Sequence, residues 1–236
     1  MLASRGLLTE PPPAAGKQPS GVAFAVQQTF RRANDSGGST KAEPAILEID
    51  TGDLTAETTD VIVNPSSRGL SGGGLVDLSV RRVAGPELIA ACRAALMAVR
   101  GGLLSPGQAV ITAGYRLPAR FVIHCVPPVY EADRHAARIH LSACYAQALA
   151  LARLQGLSSI SFPAIATGVY GYPVREAAEV ALSTVVEQLQ VHGGPPRVRF
   201  VLFGPTIFQE YVAAAERKLE GTTASTRGAR RRDLEG

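Results

Sequence analysis

Asp60-Val61-Ile62-Val63-Asn64-Pro65-Ser66-Ser67-Arg68-Gly69-Leu70-Ser71-Gly72-Gly73-Gly74-Leu75-Val76-Asp77 is the stretch whose reading decides the fold. Asp60 to Asn64 is a short, β-branched apolar run and predicts a strand, while Gly74 to Val83 carries a helical period. A glycine-bearing loop joins them. Outward from this unit the same alternation recurs, with strands expected at Ala45 to Ile49, Ala109 to Thr112, Phe121 to Val126, Ser159 to Pro163 and Val198 to Phe203. Helices are expected at Pro86 to Val99, Ala136 to Leu154, Val174 to Val191 and Thr206 to Leu219. Pro86, Pro173 and Pro205 fall at or just before helix starts, where a missing N–H costs nothing. Such β/α alternation predicts an α/β fold around a largely parallel sheet with helices on both faces, and ligands in such sheets bind beyond the carboxyl ends of the strands.

The chain has 236 residues, 46% hydrophobic and 19% charged, enough for one full core and too few for two large domains. No apolar run reaches the roughly 18 residues of a membrane helix, so no membrane partner is expected. The net charge of +4 raises the question of nucleic acid, but its position answers it. Residues 1–44 hold 5 Lys and Arg against 3 Asp and Glu, residues 221–236 hold 4 against 2, and the middle holds 15 of each. A neutral domain at 45–220 between two basic tails argues against nucleic acid as a partner. The first 44 residues, with Pro11-Pro12-Pro13, Gly37-Gly38 and one apolar cluster at Val22 to Val26, are expected to be mostly disordered. Residues 221–236, with Arg230-Arg231-Arg232, are expected to be a disordered basic tail. Three cysteines, Cys92, Cys125 and Cys144, without Cys-x-x-Cys spacing argue for a reducing, cytoplasmic compartment and against a disulfide scaffold or cysteine-rich zinc site. The N-terminal segment leaves organelle targeting or secretion as an effector open.

Two loops attract attention as chemistry. The first is 64–74; the second, Ala166-Thr167-Gly168-Val169-Tyr170-Gly171-Tyr172-Pro173, also follows a strand and enters a helix. Glycines let backbone approach a ligand, and free amides at a helix start suit phosphate. Neither loop matches G-x-x-x-x-G-K-[ST] and no lysine lies nearby, which points to a bound diphosphate that is not itself transferred. His124 and Cys125 are adjacent on a strand and face opposite ways, so they form no nucleophile pair. Cys92 and Cys144 are expected as packed hydrophobes, the spacing of His135 and His140 argues against a metal pair, and Arg81-Arg82 are expected on a solvated helix face.

On these residues the chain resembles the macrodomains, in particular their MacroD-like group. The resemblance is carried by Gly52-Asp53-Leu54-Thr55, Asp60 to Asn64, Gly72 to Asp77, Ala84-Gly85-Pro86-Glu87-Leu88, Gly107 to Pro118 and Phe162 to Pro173, in family order from about Ala45 to Leu219. It implies a three-layer α/β/α fold around a mixed, largely parallel sheet of six or seven strands. It also implies a cleft for ADP-ribose or ADP-ribosylated proteins; no metal, no cofactor and a monomeric state are expected. Asp53 and Leu54 match the adenine readers and Phe203 the aromatic that stacks on adenine. Gly73, Gly74 and Val76, with Thr167, Gly168, Val169, Tyr170 and Gly171, match the loops that enclose the diphosphate, and Asn64 opens the first of them. The resemblance makes Asp77, Ser67 and Tyr170 the residues at the distal ribose, with Asp77 helping to activate a water.

The family's Asn-Ala-Ala-Asn reads here Asn64-Pro65-Ser66-Ser67, its fourth glycine is Leu75, and the glycine after the aspartate is Leu78. Ser67 offers one hydroxyl where asparagine offers a separate donor and acceptor. Two functions therefore stay open. One is a metal-independent hydrolase of mono-ADP-ribosyl-protein linkages or of O-acetyl-ADP-ribose, supported by Asp77. The other is a reader that binds ADP-ribose without turnover, supported by Ser67 and Leu75.

Overall fold

The computed structural model describes residues 21–26 and 44–232, with side chains described through residue 218. Seven strands form one sheet: β1 (Val22–Val26), β2 (Ala45–Thr51), β3 (Val61–Pro65), β4 (Ala109–Ala113), β5 (Phe121–Cys125), β6 (Ser159–Phe162) and β7 (Arg197–Leu202). Their spatial order is β1-β2-β7-β6-β3-β5-β4. The five central strands run parallel, and both edge strands are antiparallel to their neighbours. The helices are α1 (Leu75–Ala84), α2 (Pro86–Met97), α3 (Arg134–Leu154), α4 (Val174–His192) and α5 (Pro205–Arg232). None of them, among the described residues, is long and apolar enough to cross a membrane.

Period-two alternation sorts the strand side chains into two cores. Val61, Val63, Ile160, Phe162, Val198 and Phe200 face α3, α4 and α5, where Tyr145, Leu149, Leu182 and Tyr211 meet them. Ile62, Val122 and Val201 face the other way, toward Val80, Leu88 and Cys92 of α1 and α2. The result is three layers. Each fully buried Leu, Ile, Val or Phe contributes about 1.5–3 kcal/mol, so both faces of the sheet hold their helices firmly. Asp133 caps α3 by accepting from the amides of His135 and Ala136, which moves the helix start two residues ahead of the expected Ala136.

Two boundaries differ from expectation. Val22–Val26, inside the segment expected to be mostly disordered, is an edge strand in register with β2, from Val22 against Ile49 to Val26 against Ala45. Its Phe24 and Val26 are buried, so five apolar residues suffice once a ready sheet edge supplies their hydrogen bonds. The last helix continues beyond Leu219 to Arg232, through most of the expected tail. The remaining expectations of disorder, for 1–20, 27–43 and 233–236, lie outside the described residues.

Candidate functional site

Strand order lays out the site. The carboxyl ends of β2, β7, β6 and β3 lie side by side, and they release, in that order, Asp53, Phe203, the 163–173 loop and the 66–74 loop. Along this line runs a cleft of about 550 Å³. Asp53, Leu54, Val201, Phe203 and Ile207 line one part of it, and Gly74, Val76, Thr167, Gly168, Val169 and Tyr170 another. Among the described residues Asp53 is the one charged lining residue, and no Lys or Arg reaches the wall. An anion here would be held by main chain.

At the first end Asp53 caps a short 3-10 turn, its Oδ1 accepting from the Thr55 amide and hydroxyl at 2.8 Å each. Capping and cleft lining therefore coexist, with both bonds on one carboxylate oxygen. Phe203 is 86% exposed, which removes a core role and leaves an open aromatic face on the cleft.

At the other end α1 begins at Gly74 with no side-chain cap, and its first residues, Leu75 and Val76, line the cleft. Amides in a first turn have no partner within the helix, so they present an anion site. The preceding loop closes on itself through a Ser66–Gly73 bridge and a bond from the Ser67 amide to the Gly72 carbonyl at 2.9 Å. A Cβ on Gly73 would stand 2.8 Å from the Pro65 carbonyl oxygen and 3.0 Å from Asp77 Cβ, so glycine is required there by space. The facing loop meets it directly. Tyr170 donates its hydroxyl to the Ser66 carbonyl at 3.1 Å, and Val169 lies beside Gly74.

Behind this loop sits a buried polar cluster. Asp77 is 1% exposed; its Oδ1 accepts from Asn64 Nδ2 at 2.7 Å and its Oδ2 from Arg81 Nε at 2.6 Å. The second hydrogen of the Asn64 amide points to His124 Nδ1 at 3.1 Å, and Thr112 Oγ1 lies 3.0 Å from Nε2. Because an amide nitrogen can only donate, Nδ1 accepts and the proton resides on Nε2, a neutral tautomer. Burial pushes the His124 imidazole down to about 4, against a smaller opposite pull from the Asp77 charge. Burial likewise pushes the Tyr170 phenol up, with the Asp77 charge adding to it.

The macro domain family model matches residues 63–181, from the middle of β3 to the middle of α4. This chain belongs to the macro domain family. The macrodomain is 46% identical over 154 residues to the O-acetyl-ADP-ribose deacetylase of Citrobacter rodentium, a match covering 64% of this chain and 85% of that protein. Its fold superposes on the Oceanobacillus iheyensis macrodomain solved with ADP at a TM-score of 0.73 and 38% identity, over 85% of this chain and 98% of that one. The Trypanosoma brucei macrodomain in complex with ADP-ribose gives 0.62 and 36%, over 70% and 67%.

Within this macrodomain the sequence-derived site residues fall into two groups. Asp53, Leu54, Gly74, Val76, Thr167, Gly168, Val169, Tyr170 and Phe203 line the cleft. Asn64, Ser67, Gly73, Asp77 and Gly171 are not part of its wall. Asn64 and Asp77 are buried beneath the glycine loop, and Ser67 turns its hydroxyl to the Ser71 amide at 3.2 Å within that loop. Leu75 stands at the lip, 79% exposed, so its side chain projects from the cleft margin instead of filling the cleft. The solvated-face reading of Arg81 is wrong. Its side chain is 14% exposed, bonded to Asp77 and, through Nη2, to the Leu70 carbonyl at 2.5 Å. The four-residue spacing of Asp77 and Arg81 on one helix was the visible signal. Nothing in the sequence marked His124 as a neighbour of Asn64, or Thr112 as a neighbour of His124, because those contacts are made across strands.

The His124 environment has a measurable consequence. In the unfolded chain the imidazole takes up its proton near 6.5, in the folded protein only near 4. Between those values the unfolded state binds more protons, so stability falls as pH drops, by about 1.4 kcal/mol per unit for this one group. His124→Asn, which keeps an acceptor for the Asn64 amide, is expected to flatten that slope in denaturant titrations at pH 4.5, 5.5 and 6.5. An unchanged slope would assign the acid sensitivity to other groups.

Proposed function

We propose that this macrodomain binds ADP-ribose along the cleft and hydrolyses an ester or glycosidic bond at the distal ribose, with the acetyl ester of O-acetyl-ADP-ribose as the favoured substrate. One observation carries the reading: the sheet order sets an acidic acceptor and an open aromatic ring at one end and uncapped helix amides with a facing glycine loop at the other, with the Asp77 cluster buried beneath that loop. A carboxylate at Asp53 suits the exocyclic amine of adenine, which guanine replaces by a carbonyl. Phe203 offers the ring a stacking face. Main-chain amides grip the pyrophosphate without any lysine. The names of the relatives and the nucleotides in the related structures support the same ligand.

In the reaction a water oxygen bonds to the acyl carbon, the bond from that carbon to the ribose oxygen breaks, and the ribose oxygen takes up a proton as acetate leaves. Asp77 contributes a fixed charge at the reacting end. Asn64 and Arg81 occupy one lone pair on each oxygen, and the carboxylate lies beneath the glycine loop, so a ribose hydroxyl or the water would meet its remaining lone pairs once that loop shifts. Gly73 packs directly on Asp77, with only 3.0 Å between the place of a Cβ at 73 and the Asp77 Cβ. Tyr170, tied to the Ser66 carbonyl, closes the same end.

The direct test is release of acetate from O-acetyl-ADP-ribose, followed beside release of ADP-ribose from a mono-ADP-ribosylated protein. Turnover of the ester establishes the proposal; tight binding with no turnover of either substrate would assign the protein as a reader. Ser67→Asn supplies a graded check. The longer amide adds a donor beyond the reach of the Ser67 hydroxyl, and kcat/KM is expected to rise about tenfold, the effect of one added hydrogen bond to substrate. An unchanged value would mean that position 67 acts only within its own loop.

A further inference from the structure

We propose that Arg81 is a positioning residue for ADP-ribose binding, setting the shape of the glycine loop from beneath through one two-pronged contact; the inference rests on the ligand assigned above. The loop from Ser66 to Gly74 is closed on itself by the Ser66–Gly73 bridge and by amide bonds from Ser67 to Gly72 and from Leu70 to Ser67. On one flank it is tied to Leu104, whose amide donates to the Arg68 carbonyl while Arg68 Nε donates to the Leu104 carbonyl. On the inner side Arg81 ties it to α1. Its Nε donates to Asp77 Oδ2 at 2.6 Å and its Nη2 to the Leu70 carbonyl at 2.5 Å.

Leu70 is where such a tie matters. It has φ +46° without being a glycine and is 2% exposed, a conformation that persists only when its surroundings hold it. Its buried side chain holds it from one direction and the guanidinium on its carbonyl from another. The same guanidinium fixes Asp77, two residues after Leu75, where α1 presents its free amides. Loop and helix start are therefore held at one relative position by a planar fork, which a lysine, with a single point of charge, does not reproduce. Arg81 has no place in the cleft wall, so its effect on the ligand passes through the loop alone.

The test compares two ligands on three proteins. ADP-ribose spans the cleft, whereas adenosine engages only the Asp53 and Phe203 end. Arg81→Met is expected to raise the ADP-ribose Kd about 30-fold and Arg81→Lys about tenfold, with adenosine affinity, read by chemical-shift titration, within about twofold of wild type. Adenosine also reports that each variant is folded, and the lysine variant keeps a cation beside Asp77 if the methionine variant fails to fold. The double variant Asp77→Asn/Arg81→Met separates loop positioning from charge: it stays weak for ADP-ribose if the fork sets the loop. Recovery of wild-type affinity in the double variant, an ADP-ribose Kd within twofold of wild type in both single variants, or equal weakening of both ligands would overturn the proposal. Wild-type protein with no affinity for ADP-ribose would instead remove the ligand assignment, and this inference with it.

Discussion

Asp77→Asn is expected to lower turnover of O-acetyl-ADP-ribose about a thousandfold while leaving ADP-ribose affinity within about tenfold. The physical ground is the distinction between gripping the whole nucleotide and stabilising the bond-breaking step. In the proposed pose adenine and pyrophosphate lie along the cleft wall, and Asp77 is not part of that wall. What it removes, in the proposed reaction, is a fixed charge beneath the glycine loop. The substitution has a structural cost as well, because Asp77 accepts from both Asn64 and Arg81 and an asparagine amide turns a donor toward one of them. Asp77→Ala is the harsher change: it strands a buried guanidinium, with an expected stability loss of about 3–5 kcal/mol. Melting curves beside the kinetic assay separate the effects. A turnover loss that vanishes when the assay is run well below the melting temperature would remove Asp77 from the chemistry.

Gly73→Ala is expected to weaken ADP-ribose binding about 100-fold and to cost roughly 1–3 kcal/mol of stability, although it adds a single methyl group. That methyl would stand 2.8 Å from the Pro65 carbonyl oxygen and 3.2 Å from Ser66 Cα, both main-chain atoms, with Asp77 Cβ at 3.0 Å. Backbone cannot swing aside as a long side chain can, so the loop itself must move, and with it the first turn of α1. Gly72 is the internal control. A Cβ there meets nothing within 4 Å, so Gly72→Ala is expected to stay within about 0.5 kcal/mol in stability. Equal melting temperatures for the two variants would show that the Ser66–Gly73 bridge is not a fixed point of the site.

The six strands and five helices of the expected domain were legible because each carries its own period, and the two glycine loops because strand, glycine and helix start follow one another in the chain. Phe203 and Asp53 were placed through the family resemblance, and the structure sets both on the cleft. What stayed hidden depends on partners distant in sequence. β1 is a strand because β2 offers an edge, and its five residues sit diluted in a polar, proline-rich segment. His124 is held by Asn64, sixty residues away, and Thr112 reaches it from a neighbouring strand. Arg81 is the instructive error. A charged pair on a helix is usually a solvated face, but Arg81 follows Asp77 by one turn, and a buried acid with an arginine one turn on is a pairing the sequence displays. The opposite faces of His124 and Cys125, by contrast, followed from strand alternation and hold: Cys125 packs in the core under α3, and His124 lies on the α1 side.

Titration calorimetry with ADP-ribose and GDP-ribose tests most directly the claim that one cleft reads adenine at Asp53 and Phe203 and grips the pyrophosphate with main chain. ADP-ribose is expected to bind in the micromolar range, roughly −7 to −9 kcal/mol, and GDP-ribose at least about tenfold more weakly. Equal affinity for the two nucleotides, or no heat from ADP-ribose at millimolar concentration, would contradict it.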